Sequence, residues 1–154
     1  MRVIGDGGHA AVVRELAAAC GVLHGMVVAI GDNRIRKREV CAHPRLYVAL
    51  IHPRAIVSPS AIIGPGSVIM AGAIICANAY IGKHCIVNHG ATVDHHCVLS
   101  DFVHIAPGAH LCGGVQVGEG TLVAVGVAVA PSAIIPSWSF LKTRRLELVP
   151  LAAR

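Results

Sequence analysis

At 154 residues the chain has room for one main domain and a small appendage, and with 14% charged and 3% aromatic residues it describes a narrow body filled with aliphatic side chains. The net charge of +5 includes a basic run (Arg34, Arg36, Lys37, Arg38) and a basic tail (Lys142, Arg144, Arg145), but rings for base stacking are so scarce that no nucleic-acid partner is expected. Residues 55–82 and 120–141 contain no Asp, Glu, Lys or Arg, but both are broken by Pro and Gly and keep a six-residue period, which argues against membrane-spanning helices and for a chain with no membrane partner.

The chain begins with a short strand, Arg2-Val3-Ile4, and not with the apolar run of a secretory leader. A glycine-rich turn follows (Gly5, Asp6, Gly7, Gly8, His9), then a helix over residues 10–20 with Val12, Val13, Leu16 and Cys20 on one side. Val27 to Ile30 form a second strand, Gly31-Asp32-Asn33 a second turn, and Arg34 to Arg38 a second helix start. Strand, glycine loop and helix N-terminus together can hold a phosphate on backbone N–H groups. Gly5, Gly7, Gly8, His9, Asp32 and Asn33 are therefore candidate substrate-binding residues, a tight structural turn being the alternative reading. The cations at 34–38 suit a phosphorylated small molecule.

From Ile51 the chain counts in sixes. Every sixth residue from Ile51 to Leu141 is aliphatic, and a small residue stands four places after each but the last, giving fifteen hexads over residues 51–140 without an insertion. Six residues suit one short strand and a tight corner, and three such units close one coil, with residue n under residue n+18. A repeat this short buries its face only by stacking on the next. The expected architecture is an all-β solenoid, a parallel β-helix of about five coils over 51–140. A reduced α/β, Rossmann-like segment over 1–50 precedes it, and an irregular tail over 141–154 follows. Cys76, Cys85, Cys97 and Cys112 fall on hexad positions and no C-x-x-C occurs, so a reduced, cytoplasmic setting is expected.

The segments VIGDGGHAAVV, VVAIGDNRIRKR and IHPRAIVSPSAIIGPGSVIMAGAII occur in that order. Together they resemble the hexapeptide-repeat sugar acyltransferases typified by sialic-acid O-acetyltransferase and the UDP-amino-sugar N-acetyltransferases. The resemblance implies a left-handed β-helix and acetyl-coenzyme A (acetyl-CoA) as co-substrate. It implies a sugar or UDP-sugar acceptor, and a homotrimer with active sites between subunits. Between Cys20 and Val27 the family has further strands and a helix, where this chain has only Gly21 to Met26. The hexads stop at Leu141, where the family continues with further coils, so weak acetyl-CoA affinity is expected.

The segment NHGATVDHHCVLSDFVHIAPGAHLCGG matches the family's catalytic region. The resemblance makes His95 the general base, Asn88 a substrate contact and His104 an acetyl-CoA contact across the interface. It gives Gly113 a backbone N–H for the thioester carbonyl. Gly113 also follows His95 by three hexads, so it lies one coil above it. Acyl transfer from a thioester needs a base, a donor for the oxyanion and something to orient the base. The family usually has Asp or Glu after the base; here that residue is His96, with Asp94 on the other side as a possible substitute. His84, His89 and His110 read as surface or interface residues, and His43 and His52 as turn residues. Two rival readings remain: a metal site like that of the γ-class carbonic anhydrases, held by histidines of a trimeric prism, and a non-catalytic trimerising member.

Overall fold

The computed structural model describes residues 1–142. The expected tail, from residue 143 on, lies outside the described residues. β1 (Arg2–Ile4), α1 (Gly8–Ala19), β2 (Met26–Val28) and α2 (Asn33–Ala42) form the N-terminal unit. β1 and β2 pair in parallel, and the segment at Tyr47 bridges to Met26 as a third extended edge. Crowding explains Gly5: its φ is +125°, and a Cβ there would stand 2.7 Å from the carbonyl oxygen of Ala29. α1 starts at Gly8, two residues before the expected position, with Gly7 as an N-cap that offers no side-chain hydrogen bond. α2 is capped by the Asp32 carboxylate, which accepts from Ile35 N–H at 2.8 Å.

Sixteen two-residue strands follow among the described residues, from β3 (Leu50–Ile51) to β18 (Phe140–Leu141). Each pairs in parallel with the strand three hexads along the chain, as Thr92 with His110 and His104 with Leu122. The result is a left-handed parallel β-helix of about five coils, with one six-stranded and two five-stranded faces. The hexad's aliphatic residue and its small residue both point inward, so Val93 and Cys97, or Ile105 and Ala109, fill one core. The small residue sits under the corner, where the chain bends too sharply for a larger side chain.

Each corner from residue 66 to 138 places its third residue at positive φ, the left-handed conformation of a type II turn. Glycine holds many of these positions, but Asn78 (φ 57°) and His96 (φ 57°) hold two that bear on the chemistry. A side chain in this conformation costs about 1 kcal/mol, less for Asn.

The N-terminal unit docks on the six-stranded face. Ala10, Val13 and Leu16 of α1 pack on Leu50, Val68 and Ile86, which project outward from successive coils of that face. Each of these large residues contributes roughly 1.5–3 kcal/mol through burial. α2 is anchored differently, by Arg36, which is 1% exposed and whose guanidinium donates to the carbonyls of Ile30, Gly31, His84 and Phe102 and to Asn33 Oδ1. No helix among the described residues is long and apolar enough to cross a membrane.

Candidate active site

The corner that carries His95 stacks residues 76–79, 94–97 and 112–115. Gly114 N–H donates to His95 C=O at 2.9 Å, which puts Gly113 one coil above the histidine, as the hexad count predicts. The His95 ring lies directly against that glycine: a Cβ on Gly113 would be 2.5 Å from Cε1 and 2.6 Å from Nε2. A residue with any side chain at 113 would displace the ring, so the bare backbone there is a requirement of this geometry. Gly113 N–H has no backbone acceptor among the described residues.

His95 Nδ1 faces His96 Nδ1 at 3.1 Å, and His96 Nε2 faces the side-chain amide nitrogen of Asn78 at 3.2 Å. Both imidazoles are exposed, and their ring centroids are 5.3 Å apart, edge to face. Asp94 makes no hydrogen bond to either ring among the described residues. Its Oδ1 accepts from the His95 backbone N–H at 2.7 Å, and that bond chiefly lowers its pKa, with the charge of His95 adding to it. Its carboxylate thus caps backbone beside His95, and the place next to His95 Nδ1 is held by His96. Asn78 was not singled out by sequence reasoning, although it stands three hexads before His96 and the hexad ruler could have found it.

His104 points outward from the six-stranded face and stays partly exposed there, where this chain's own N-terminal unit meets it. His104 Nδ1 lies 3.2 Å from Gly31 C=O and Nε2 lies 3.3 Å from Asn88 Nδ2. A ring that donates from Nδ1 to a carbonyl and accepts at Nε2 from an amide is neutral and has both nitrogens committed. Asn88 Oδ1 in turn accepts from His89 N–H at 2.9 Å. His9, expected in a phosphate-holding loop, turns inward toward His104, with ring centroids 6.4 Å apart and its Nε2 buried without a partner. Asn33 is also structural: Nδ2 donates to the carbonyls of Gly120 and Thr121, and Oδ1 accepts from Arg36.

Of the expected substrate-binding residues, Asp32 stays at an opening. With Gly31 and Arg34 it lines a cleft of about 330 Å³ against Trp138 and Phe140 of the last coil. The Arg34 guanidinium lies 4.6 Å over the Trp138 ring. Gly7 and Gly8 face open space at the start of α1. The basic run is otherwise engaged, Arg36 by its buried carbonyls and Lys37 by an ion pair with Glu119. Among the described residues of the single chain, no three His, Cys, Asp or Glu side chains converge as a metal set.

The family model "Bacterial transferase hexapeptide (six repeats)" matches residues 60–95. The acetyltransferase domain of PglB from Neisseria gonorrhoeae, also solved in complex with acetyl coenzyme A, is 39% identical, with a TM-score of 0.84 over 90% of this chain and 86% of that one. The chain belongs to the hexapeptide-repeat sugar acyltransferases. PerB from Caulobacter crescentus, solved with CoA and GDP-perosamine, is 37% identical, with a TM-score of 0.83 over 90% of this chain and 84% of that one. WeeI from Acinetobacter baumannii, at 18% identity and a TM-score of 0.67 over 90% of this chain and 94% of that one, shares the fold. No curated protein matches significantly.

This acyltransferase carries three histidines that burial keeps neutral. His84, read from sequence as a surface residue, is 6% exposed and stacks on Phe102, with Tyr47 edge-on. Burial pulls its pKa down to about 4, Asp101 opposing and Arg36 assisting. Burial, then the Arg36 charge, brings His9 to about 4 as well, and the same two causes lead for His104, also at about 4. All three flank the contact between the N-terminal unit and the prism. In the unfolded chain they take up protons near pH 6.5, while the folded acyltransferase resists protonation down to about pH 4. The unfolded state therefore binds more protons between those values, and stability rises with pH across that window. It is fully present above about pH 6.5 and is lost as pH falls toward 4. Thermal unfolding followed at pH 7.5, 6, 5 and 4.5 is expected to show a falling midpoint. Replacing His84 with Gln is expected to flatten the slope, and an unchanged midpoint from pH 7.5 to 4.5 would contradict the assignment.

Proposed function

We propose that this enzyme transfers the acetyl group of acetyl-CoA to a nucleotide-linked sugar, with the amine of an amino sugar as the first choice of acceptor and a hydroxyl as the second. The observation that carries the reading is His95 lying against bare Gly113 backbone, in a chain 39% identical to an acetyltransferase domain solved with acetyl coenzyme A. His95 Nε2 removes the proton from the attacking nitrogen as the N–C bond forms at the acetyl carbonyl carbon. The C–S bond breaks, and the proton passes from Nε2 to the departing thiolate. Gly113 N–H is the donor for the carbonyl oxygen, a role suited to a backbone group that needs no reorganisation. Asn88 contacts the acceptor, and the 1–50 segment supplies the Gly31–Arg34 turn as the seat of the nucleotide. An acceptor carrying GDP, as in the PerB complex, fits this reading as well as one carrying UDP.

The site is completed in a homotrimer. Ile62, Tyr80, Val98 and Ile134 project from one five-stranded face with between 42% and 74% of their surface exposed. Such an apolar stripe marks an association surface, and cyclic packing of three prisms buries it. Six free cysteines fit a reducing, cytoplasmic setting. The test is thiol release from acetyl-CoA with a panel of UDP- and GDP-linked amino sugars and sialic acid. Release with at least one nucleotide-linked amino sugar is expected, and none with any acceptor would overturn the reading.

His96 stands where the family usually carries Asp or Glu. A neutral imidazole orients His95 but supports its positive charge less than a carboxylate does. His96→Asp is expected to raise kcat several-fold with unchanged KM, since Asp tolerates the left-handed backbone at this corner. Equal rates for the two proteins with the same acceptor would show that the carboxylate is dispensable here.

A further inference from the structure

We propose that Asn78 is a positioning residue that sets, through His96, which nitrogen of His95 carries the proton. The inference rests on the reading of His95 as the base. Asn78, His96 and His95 form one line of contacts: Asn78 Nδ2 to His96 Nε2 at 3.2 Å, and His96 Nδ1 to His95 Nδ1 at 3.1 Å. Neutral imidazole has one donor and one acceptor nitrogen, so the two contacts are coupled. With the amide N–H₂ facing His96, as found, His96 Nε2 accepts and its Nδ1–H donates to His95 Nδ1. The proton of His95 then sits on Nε2, the nitrogen beside Gly113, which is a donor and not a base. A half-turn of the amide presents Oδ1 instead. His96 then donates from Nε2 and accepts at Nδ1, His95 holds its proton on Nδ1, and Nε2 carries the free lone pair.

The amide is thus a two-position selector set back from the reacting atoms by one imidazole. The selector exists because His96 replaces a carboxylate. An Asp or Glu accepts only, and holds the base tautomer by itself, whereas imidazole transmits whichever polarity its far side receives. The side chain placed to meet that far nitrogen comes from the coil below at the same corner, and position 78 is that place. The left-handed backbone of Asn78 aims its side chain there, and Asp or Gly accepts the same conformation.

The test is Asn78→Asp in the full chain. The carboxylate accepts from His96 Nε2–H and locks His95 in the base tautomer. The exposure of both rings to solvent keeps the gain far below the ~10⁴ lost when a directly bonded, buried carboxylate is replaced by an amide. A kcat gain of about three- to tenfold with unchanged KM is expected, together with a shift of His95 from the Nε2–H to the Nδ1–H form in imidazole ¹⁵N spectra. The gain is expected to vanish in a His96→Gly background, where the relay is cut. A gain that persists there would mean a through-space charge effect and overturn the proposal. So would identical kcat and identical tautomer populations in wild type and Asn78→Asp. The spectra read the relay without turnover, so a tautomer shift in a protein that releases no thiol with any acceptor would sink the acetyltransferase reading and leave the relay standing.

Discussion

His95→Ala is expected to lower kcat for acetyl transfer by about a hundredfold to ten-thousandfold, the usual contribution of a positioned general base. KM for both substrates is expected to change little, because the lost interaction is made to the moving proton and not to the ground-state substrates. The substitution is a clean test because His95 is exposed and contributes nothing to the prism core. Its backbone is not in the left-handed region, its C=O still accepts from Gly114 N–H, and its N–H still donates to Asp94. The thermal midpoint should therefore match that of the unaltered enzyme. Thiol release measured alongside calorimetry separates a chemical loss from a folding loss. Retention of more than about a tenth of kcat would show that another group takes the proton, and would move attention to His96 beside it.

Arg36→Met is expected to give the largest stability loss of any single substitution in the N-terminal unit. The guanidinium is almost fully enclosed, and all its partners are neutral oxygens: four backbone carbonyls and the Asn33 amide oxygen. Desolvation lowers its pKa to about 10, so it remains charged at neutral pH. Methionine fills much of the volume but leaves those oxygens buried without donors, each costing on the order of 1–3 kcal/mol. A loss of roughly 4 kcal/mol is expected once local relaxation and water entry are allowed for. Arg36→Lys should recover little, because an ammonium has three donors at one point where the site needs a planar fork. The prism has its own continuous core, so the damage should be confined to the docked unit. Limited proteolysis should then cut within residues 1–48 while the hexads stay resistant. Undiminished resistance and an unchanged melting midpoint would show that α1 packing alone holds the unit in place.

The hexad count carried most of what was legible. It predicts the strand register, because a six-residue period with an aliphatic at one place and a small residue at another admits one inward face. It also puts Gly113 over His95, which the structure places in contact. The same ruler applied downward from His96 reaches Asn78, and applied outward along 50, 68 and 86 it finds large apolar residues where a solvent face would be polar. That column was the signal that something covers the prism. By contrast, nothing local distinguishes Arg36 from Arg34 or Arg38 in the basic run, or His84 from the exposed histidines. Their fates depend on contacts 48 and 66 residues away in the chain, with His84 and Phe102 as partners of Arg36.

By itself the sequence determined the solenoid, its coil length and which residues share a corner, since a strict period acts on every repeat alike and needs no distant partner. Only the tertiary structure decided where the N-terminal unit sits. That placement sets His104 against Gly31, turns Asn33 into an anchor and leaves Asp32 at an open cleft. It also brought Asn78, His96 and His95 into one line of contacts, because hydrogen-bond direction is a property of three side chains meeting at one corner and no spacing records it.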